Sequence, residues 1–249
     1  MILKKEYYDY ITGAKFDRGF KYKIAGGIKF GGEDKIAYLA SLLKGKSVIH
    51  LGCTDHIDYI DLKIRENIWL HKIITDISKT CIGIDINEEA IEYIKKKYAG
   101  KNFANNIYAA DITSNFLKEK NIKAEYLLMG EILEHIDNPV NFMKEIIAKN
   151  KGQIRKIIIT VPNMYNIHTR IFSWFNIEQI NTDHRYWFSP ITLWKVASRA
   201  GLKVESIDLL SSPVSNKLTL TNILKLTSRY LFEWKPLNRK HIILVATID

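Results

Sequence analysis

Three side chains that can transfer protons or bind cations lie close together near the middle of the chain. They belong to the segment Glu131-Ile132-Leu133-Glu134-His135. In a helical turn, positions i, i+3 and i+4 share one face, so the spacing predicts that two carboxylates and an imidazole converge. Such a group suits proton transfer or cation binding. The other interpretation is that the acids only line a pocket, because a helix N-terminus favours acids by itself.

A second set of residues predicts a nucleoside-binding pocket. Ser47–Thr54 is typical of a buried strand that stops at Gly52, and Thr80–Ile86 is typical of a second strand ending at Asp85. In an open α/β sheet, ligands bind beyond the carboxyl ends of the parallel strands, and an acid after the second strand accepts hydrogen bonds from ribose hydroxyls. The first turn has one glycine and an acid, Asp55, which favours a cationic or zwitterionic ligand over a pyrophosphate.

Strands and helices alternate around these residues. Further strands are predicted at Asn106–Asp111, Ala124–Gly130, Ile157–Asn163, Val204–Leu210 and His241–Ile248. Helix starts are indicated at Glu33-Asp34, Asn87, Asn138-Pro139 and Ser189-Pro190. This alternation predicts an α/β fold with a doubly wound, mostly parallel, Rossmann-like sheet.

The chain is long enough for one domain with a substantial core, at 249 residues and 47% hydrophobic content. We divide it into an N-terminal cap (1–32), a cofactor-binding core (33–210), a basic amphipathic insertion (211–240) and a final strand (241–249). In the insertion, Leu220, Ile223, Leu224 and Leu231 follow a helical period among basic residues. This pattern predicts a helix that lies on the domain or on an anionic membrane.

The composition excludes several classes of protein. The start has no signal-peptide pattern, and no apolar run reaches the roughly 18 residues of a membrane span. Cys53 and Cys81 are predicted at opposite ends of adjacent strands, so no disulfide is expected. We therefore expect a cytoplasmic protein, either free or peripheral to the membrane. The net charge of +10 indicates either solvated lysines or an anionic partner such as RNA, a glycan, a glycolipid or a membrane surface.

The ordered motifs resemble those of class I S-adenosylmethionine-dependent methyltransferases. The resemblance covers residues 33–210 and rests on Leu51-Gly52-Cys53, Asp85, Asp111, Glu131–His135 and Asp183–Pro190. His50 replaces the usual acid, and Thr54 and His56 stand where glycines are common. The resemblance implies S-adenosylmethionine as cofactor and these candidate cofactor-binding residues: His50, Gly52, Cys53, Asp85, Ile86, Asp111, Ile112 and Gly130.

Two branches of that class carry similar downstream motifs. One is the ubiquinone-type and glycan-cluster O-methyltransferases, and the other is the small-RNA 2′-O-methyltransferases. In the RNA branch, matching acids and histidines hold a divalent cation. The resemblance therefore implies a site for Mg²⁺ or Mn²⁺ with the ligands Glu131, Glu134, His135 and His184, and it implies His135, His184 and Glu134 as catalytic residues.

These observations lead to one expected function and two alternatives. We expect an O-methyltransferase that acts on a sugar hydroxyl of a polysaccharide or glycolipid precursor, because the basic insertion suits an anionic, membrane-proximal substrate. The alternatives are an RNA ribose 2′-O-methyltransferase and a non-catalytic methyltransferase-like binding protein. The expected partners are a glycan or small-molecule acceptor, RNA in the first alternative, and an anionic membrane surface. We expect a monomer or a homodimer.

Overall fold

The computed structural model describes residues 7–24, 34–214 and 219–248. Within these ranges, seven strands form one sheet in the order β3-β2-β1-β4-β5-β7-β6. The first five strands run parallel, whereas β7 is antiparallel to both β5 and β6. The predicted doubly wound, mostly parallel sheet is therefore confirmed. The strands are β1 (Ser47–Leu51), β2 (Thr80–Asp85), β3 (Ile107–Ala109), β4 (Ala124–Gly130), β5 (Ile154–Pro162), β6 (Lys203–Leu210) and β7 (His241–Thr247).

Helices cover both faces of this sheet. Alternate side chains of β5 enter different apolar clusters: Ile157 packs with Met143 and Leu193, whereas Ile158 packs with Leu39. This alternation is what a parallel strand buried on both faces requires. The helices are α1 (Tyr8–Thr12), α2 (Lys35–Leu43), α3 (Ile57–Arg65), α4 (Leu70–Ile77), α5 (Glu88–Lys97), α6 (Asn102–Asn105), α7 (Phe116–Glu119), α8 (Pro139–Lys149), α9 (Ile167–Trp174), α10 (Pro190–Arg199) and α11 (Leu220–Phe232). In the described part of the chain, no helix has the length and apolar character needed to cross a bilayer.

Side-chain caps fix where the main helices begin. Asp34 accepts hydrogen bonds from two backbone amides at the start of α2, and Asn87 caps α5. Asn138 with Pro139 starts α8, and Ser189 forms a capping box at the start of α10. Each cap contributes about 1 kcal/mol by satisfying amides that have no partner within the helix. These four starts agree with the sequence pattern.

Three connections differ from the sequence-based expectation or extend it. Residues 55–79 contain two helices, α3 and α4, rather than one. The aromatic connection 163–188 contains α9, which the pattern did not indicate. The insertion 211–240 contains α11 and a 3₁₀ turn at Pro236–Asn238, while its residues 215–218 lie outside the described part. Of the proposed cap 1–32, residues 1–6 and 25–32 lie outside the described part too.

A pair of buried histidines joins the sheet to α4. The Nδ1 atoms of His50 on β1 and His71 on α4 lie 3.2 Å apart, and both side chains are almost fully buried. Burial lowers the pKa of His71 to about 4. Burial, and secondarily His71, lowers the pKa of His50 well below its usual value. Both rings are therefore neutral at pH 7. Cys53 and Cys81 are both free and buried.

We expect this pair to make the fold sensitive to acid. Unfolded histidines take up protons near pH 6.5, whereas folded His71 does so only near pH 4, so the free energy of unfolding falls as pH drops across that window. The contribution of His71 is about 3 kcal/mol. Urea denaturation at several pH values measures it, and His71→Gln should flatten the slope. The matched control is exposed His168→Gln. An unchanged slope in His71→Gln would contradict this account.

Candidate active site

In an open α/β sheet the ligand crevice lies where the strand order reverses, which in this sheet is between β1 and β4. β1 pairs with β2 on one side and with β4 on the other, so the carboxyl ends of these strands meet at one edge. The turn after β1 is built on Gly52, which has φ = 70° and donates its amide to Ile84 O at 2.8 Å. A Cβ atom there would lie 2.8 Å from Ile132 Cδ1. Gly52 is therefore required by both its backbone angle and its close neighbour.

Asp85 connects the ends of β1 and β2. Its Oδ2 accepts hydrogen bonds from the amide (3.0 Å) and the hydroxyl (2.7 Å) of Thr54, and its Oδ1 accepts from the Asn87 amide at 3.0 Å. A carboxylate has about four acceptor positions, so one position on Oδ1 is left for a further donor. Three contacts fix the direction of this carboxylate, which is the arrangement that a ribose-binding acid needs.

Two more predicted residues lie past the neighbouring strand ends. Ile86 follows Asp85 and is 81% exposed, which is unusual for an isoleucine beside a sheet edge. Asp111 follows β3, is exposed, and accepts hydrogen bonds at Oδ1 from the Thr113 amide and hydroxyl. Since Asp85 pairs with Ala109, Ile86 and Asp111 both follow adjacent strand ends.

The structure does not support side-chain contacts to a ligand from three other predicted residues. His50 is 2% exposed and faces His71, because its strand position directs it into the interior. Cys53 is fully buried, and burial raises the pKa of its thiol well above the usual value. Ile112 is buried, and its carbonyl accepts a hydrogen bond from Asn150. Gly130 ends β4 with Leu70 beside it, so only its backbone borders the crevice.

The predicted helical turn from Glu131 is wrong. Glu131 has φ = 57°, a left-handed conformation, and only Leu133–His135 form a 3₁₀ turn. The side chain therefore leaves the face that Glu134 and His135 share. Its Oε1 accepts a hydrogen bond from Lys35 Nζ at 3.0 Å and from Thr160 Oγ1 at 2.9 Å.

The charges around Glu131 keep it ionised. His241 Nδ1 lies 3.3 Å from the same Oε1 atom. Burial alone would raise the pKa of Glu131, but Lys35 and His241 outweigh burial and hold it well below its usual value. Burial, together with the charge of Lys35, lowers the pKa of His241 despite the carboxylate beside it. Glu131 is therefore one end of an ion-pair cluster rather than a free ligand.

Glu134, His135 and His184 do converge. Each offers one ligating atom, and these atoms lie within 4.8 Å of one another. The rings of His135 and His184 meet edge to face, with centroids 4.7 Å apart. His135 Nδ1 lies 3.1 Å from the carbonyl of Asp183, so Nδ1 carries the proton and Nε2 is the free acceptor. Both oxygens of Glu134 and Nδ1 of His184 are buried without a hydrogen-bond partner. We call these three residues the Glu134 cluster.

The loop that carries His184 is attached to the turn after β4. The Arg185 amide donates to Glu134 O at 2.8 Å, and Tyr186 Oη donates to Asp137 O at 2.6 Å. The Arg185 guanidinium also contacts the His135 carbonyl and the Asp137 carboxylate. These contacts bring His184 next to His135 although 48 residues separate them in the chain. Burial, and then the nearby His135, lowers the pKa of His184.

Sequence reasoning missed three residues of this region. These residues are Lys35, Thr160 and His241. Thr160 had a usable signal, because β4 and β5 are parallel neighbours and Gly130 pairs with Thr160. Lys35 and His241 had no such signal, since Lys35 begins α2 and His241 begins an antiparallel strand more than 200 residues later.

The matches to known proteins agree with this geometry. A sequence profile described as a methyltransferase domain matches residues 23–207, well over half of the chain. The chain therefore belongs to this family, and it is a methyltransferase enzyme. None of the curated protein sequences matches the chain.

Three solved structures illustrate the likeness in fold. Magnesium protoporphyrin IX methyltransferase from Synechocystis, with bound SAH, has a TM-score of 0.50 and 12% identity over 86% of this chain and 80% of that one. A SAM-dependent methyltransferase from Thermotoga maritima has a TM-score of 0.50 and 12% identity over 90% of each chain. Small RNA methyltransferase HEN1 has a TM-score of 0.50 and 15% identity over 93% of this chain but only 27% of its own.

The unpartnered carboxyl group of Glu134 leads to a pH prediction. Burial, and then the charge of Glu131, raises its pKa from 4.5 to about 9. Folded Glu134 keeps a proton that the unfolded chain loses near pH 4.5. The stability contributed by this protonated group is therefore lost as pH rises from 4.5 to about 9. Glu134→Gln should remove this dependence in metal-free protein, as measured by urea denaturation. Exposed Glu145→Gln is the control, and an equal change in both variants would contradict the prediction.

Proposed function

We propose that the edge formed by β1, β2 and β3 holds the nucleoside part of S-adenosylmethionine. Asp85 would accept from a ribose hydroxyl at its remaining Oδ1 position. Exposed Ile86 would cover the adenine ring, and Asp111 would accept from the adenine amino group. The left-handed turn at Gly52 lets the backbone come close to the ligand. The support is the shared edge and the direction of Asp85.

Asp85→Ala should weaken S-adenosylmethionine binding by at least about tenfold, because it removes a charge-assisted hydrogen bond. Isothermal titration calorimetry measures the change. Thr54→Val is the matched control: it removes one hydrogen bond within the turn but leaves the carboxylate, so its affinity should change by less than about threefold. Unchanged affinity in Asp85→Ala would exclude this residue from the site.

We further propose that the acceptor is a sugar hydroxyl and that the Glu134 cluster is the reacting centre. Bound S-adenosylmethionine supplies a methyl group on a positively charged sulfur, and the new C–O bond forms as the C–S bond breaks. The hydroxyl proton must go to a base, and the free Nε2 of His135 is suited to accept it. Its Nδ1–H bond to the Asp183 carbonyl fixes the ring for that task. What supports this proposal is the convergence of these three side chains after β4, the strand that pairs with β1.

The Glu134 cluster also fits a divalent cation. Two unpartnered carboxyl oxygens and an unpartnered histidine nitrogen are buried together, and the Asp183 carbonyl orients His135 as metal-bound histidines usually are. Glu131 is held by Lys35, so the donor set is one carboxylate and two imidazoles. We therefore propose Mn²⁺ rather than Mg²⁺, since imidazole ligands disfavour Mg²⁺. The cation would polarise the acceptor hydroxyl and lower its pKa.

The second candidate function is methylation of an RNA ribose 2′-hydroxyl. The net charge of +10 suits a polyanion, and HEN1 shares the fold. We favour a glycan precursor, because the basic apolar helix α11 suits a membrane-proximal glycolipid better than RNA. Transfer of labelled methyl groups to a panel of nucleotide sugars, glycolipids and short RNAs separates the two.

His184→Ala should lower kcat by about a hundredfold or more while S-adenosylmethionine affinity stays within about threefold, because His184 lies on the acceptor side. Exposed His168→Ala is the control and should keep full activity. Mn²⁺ should raise the melting temperature of the parent but not that of Glu134→Gln. Turnover that resists chelators, with loss of activity in His135→Ala, would overturn the cation and leave His135 as the base.

A further inference from the structure

Helices α9 and α11 leave their apolar side chains uncovered. Neither helix has a buried residue among its described side chains. Trp174 is 86% exposed and Leu220 is 74% exposed. We define the lipid-facing surface as the exposed apolar side chains of α9, of the turn after it and of α11: Ile171, Trp174, Phe175, Leu220, Ile223, Leu224, Leu226, Tyr230, Leu231 and Phe232. Contiguous exposed apolar groups of this extent usually mark an interaction site.

One asparagine joins the two helices into a single surface. Asn238 accepts a hydrogen bond from Arg170 on α9 at 2.8 Å and donates to the carbonyl of Phe232, the last residue of α11, at 2.8 Å. A groove of about 400 Å³ lies beside α9, lined by Trp174 and Phe175 and by Lys235 from the segment that follows α11. The position of α9 relative to the end of α11 is therefore fixed by side-chain contacts.

The charged side chains of α9 and α11 are all basic. Arg170, Lys225 and Lys235 are exposed, and neither α9 nor α11 contains an Asp or a Glu. The sequence has no acid between Asp208 and Glu233, and Glu233 is buried. Elsewhere acids are frequent, with 27 in the whole chain. A partner for this surface must therefore be apolar and anionic.

We propose that α9 and α11 bind the surface of an anionic lipid bilayer. Leu220, Ile223, Leu224 and Leu231 form a stripe at helical spacing, which would enter the boundary between headgroups and acyl chains. The exposed indole of Trp174 lines the same groove as Lys235, and indole rings favour the membrane interface. Lys225 and Lys235 would meet lipid phosphates and carboxylates.

Two other occupants fit less well. In a symmetric dimer the same surface meets itself, so the basic residues of the two copies would face one another without an acid to balance them. Single-stranded RNA would use the basic groups and stack bases on Trp174 and Phe175, but it would not cover the leucines of α11. The aliphatic stripe therefore favours lipid. The inference does not depend on which acceptor the enzyme methylates.

Vesicle sedimentation of the full chain tests the proposal. We expect binding to phosphatidylcholine vesicles that contain about 30% phosphatidylserine, weak binding to phosphatidylcholine alone, and a marked loss at about 0.5 M salt. The double variants Trp174→Ser/Leu224→Ser and Lys225→Glu/Lys235→Glu should each weaken binding at least about tenfold. All four side chains are exposed, so these variants should keep the parental melting temperature.

Matched controls separate this surface from general charge and stickiness. Phe16→Ser removes an apolar side chain that is 89% exposed outside the surface, and Lys96→Glu/Lys118→Glu reverses two exposed charges elsewhere. Both should bind vesicles as the parent does. The parent should also show a lipid-induced blue shift of tryptophan emission that Trp174→Phe reduces although this variant still sediments.

Three results would overturn the proposal. One is the absence of binding to anionic vesicles at low salt. Another is equal weakening by the surface variants and their controls. The third is a different occupant: a homodimer in light scattering that Trp174→Ser/Leu224→Ser converts to a monomer, or RNA binding lost in the same variant without any vesicle binding.

Discussion

The ion pair between Glu131 and Lys35 determines the charge state of the Glu134 cluster. Two carboxyl groups three residues apart in a half-buried turn cannot both be ionised without a nearby cation. Lys35 and His241 lie beside Glu131, so it takes the negative charge and its pKa is held low despite burial. Glu134 contacts neither of these groups, and burial together with the charge of Glu131 raises its pKa. The ion pair with Lys35 thus separates two chemically identical groups into an ionised anchor and a carboxyl group that keeps its proton.

The same ion pair positions elements as well as charges. Lys35 is the first residue of α2, Glu131 follows β4, and His241 begins β7, so three distant segments meet at one oxygen atom. The left-handed backbone at Glu131 makes this possible, because it turns the side chain away from the 3₁₀ turn that follows. Such a conformation is unfavourable for a residue with a Cβ atom and persists where surrounding contacts compensate for it. Here the hydrogen bonds to Lys35 and Thr160 supply that compensation.

Local patterns predicted most of the fold, while the site depended on long-range contacts. β4 and the starts of α8 and α10 agree with the sequence-based bounds, because strand periodicity and capping residues act within a few positions. Helical spacing at Glu131 misled, since nothing nearby in the sequence indicates a left-handed residue. His184 could be assigned only by resemblance to a family, because the contacts that bring it to His135 come from Arg185 and Tyr186 across the structure. His50 shows the opposite error: its motif suggested a ligand contact, whereas strand alternation buries it.

The arrangement separates three tasks along the molecule. The edge of β1, β2 and β3 offers groups that suit a nucleoside, and the turn after β4 offers groups that suit proton transfer or a cation. The loop 181–188 completes the second set by donating hydrogen bonds back to that turn. α9 lies between β5 and this loop in the chain, so the segment that supplies His184 is continuous with the exposed Trp174 and Phe175. A bilayer bound at α9 and α11 would therefore contact the segment that leads along the chain from the lipid-facing surface to His184 of the Glu134 cluster.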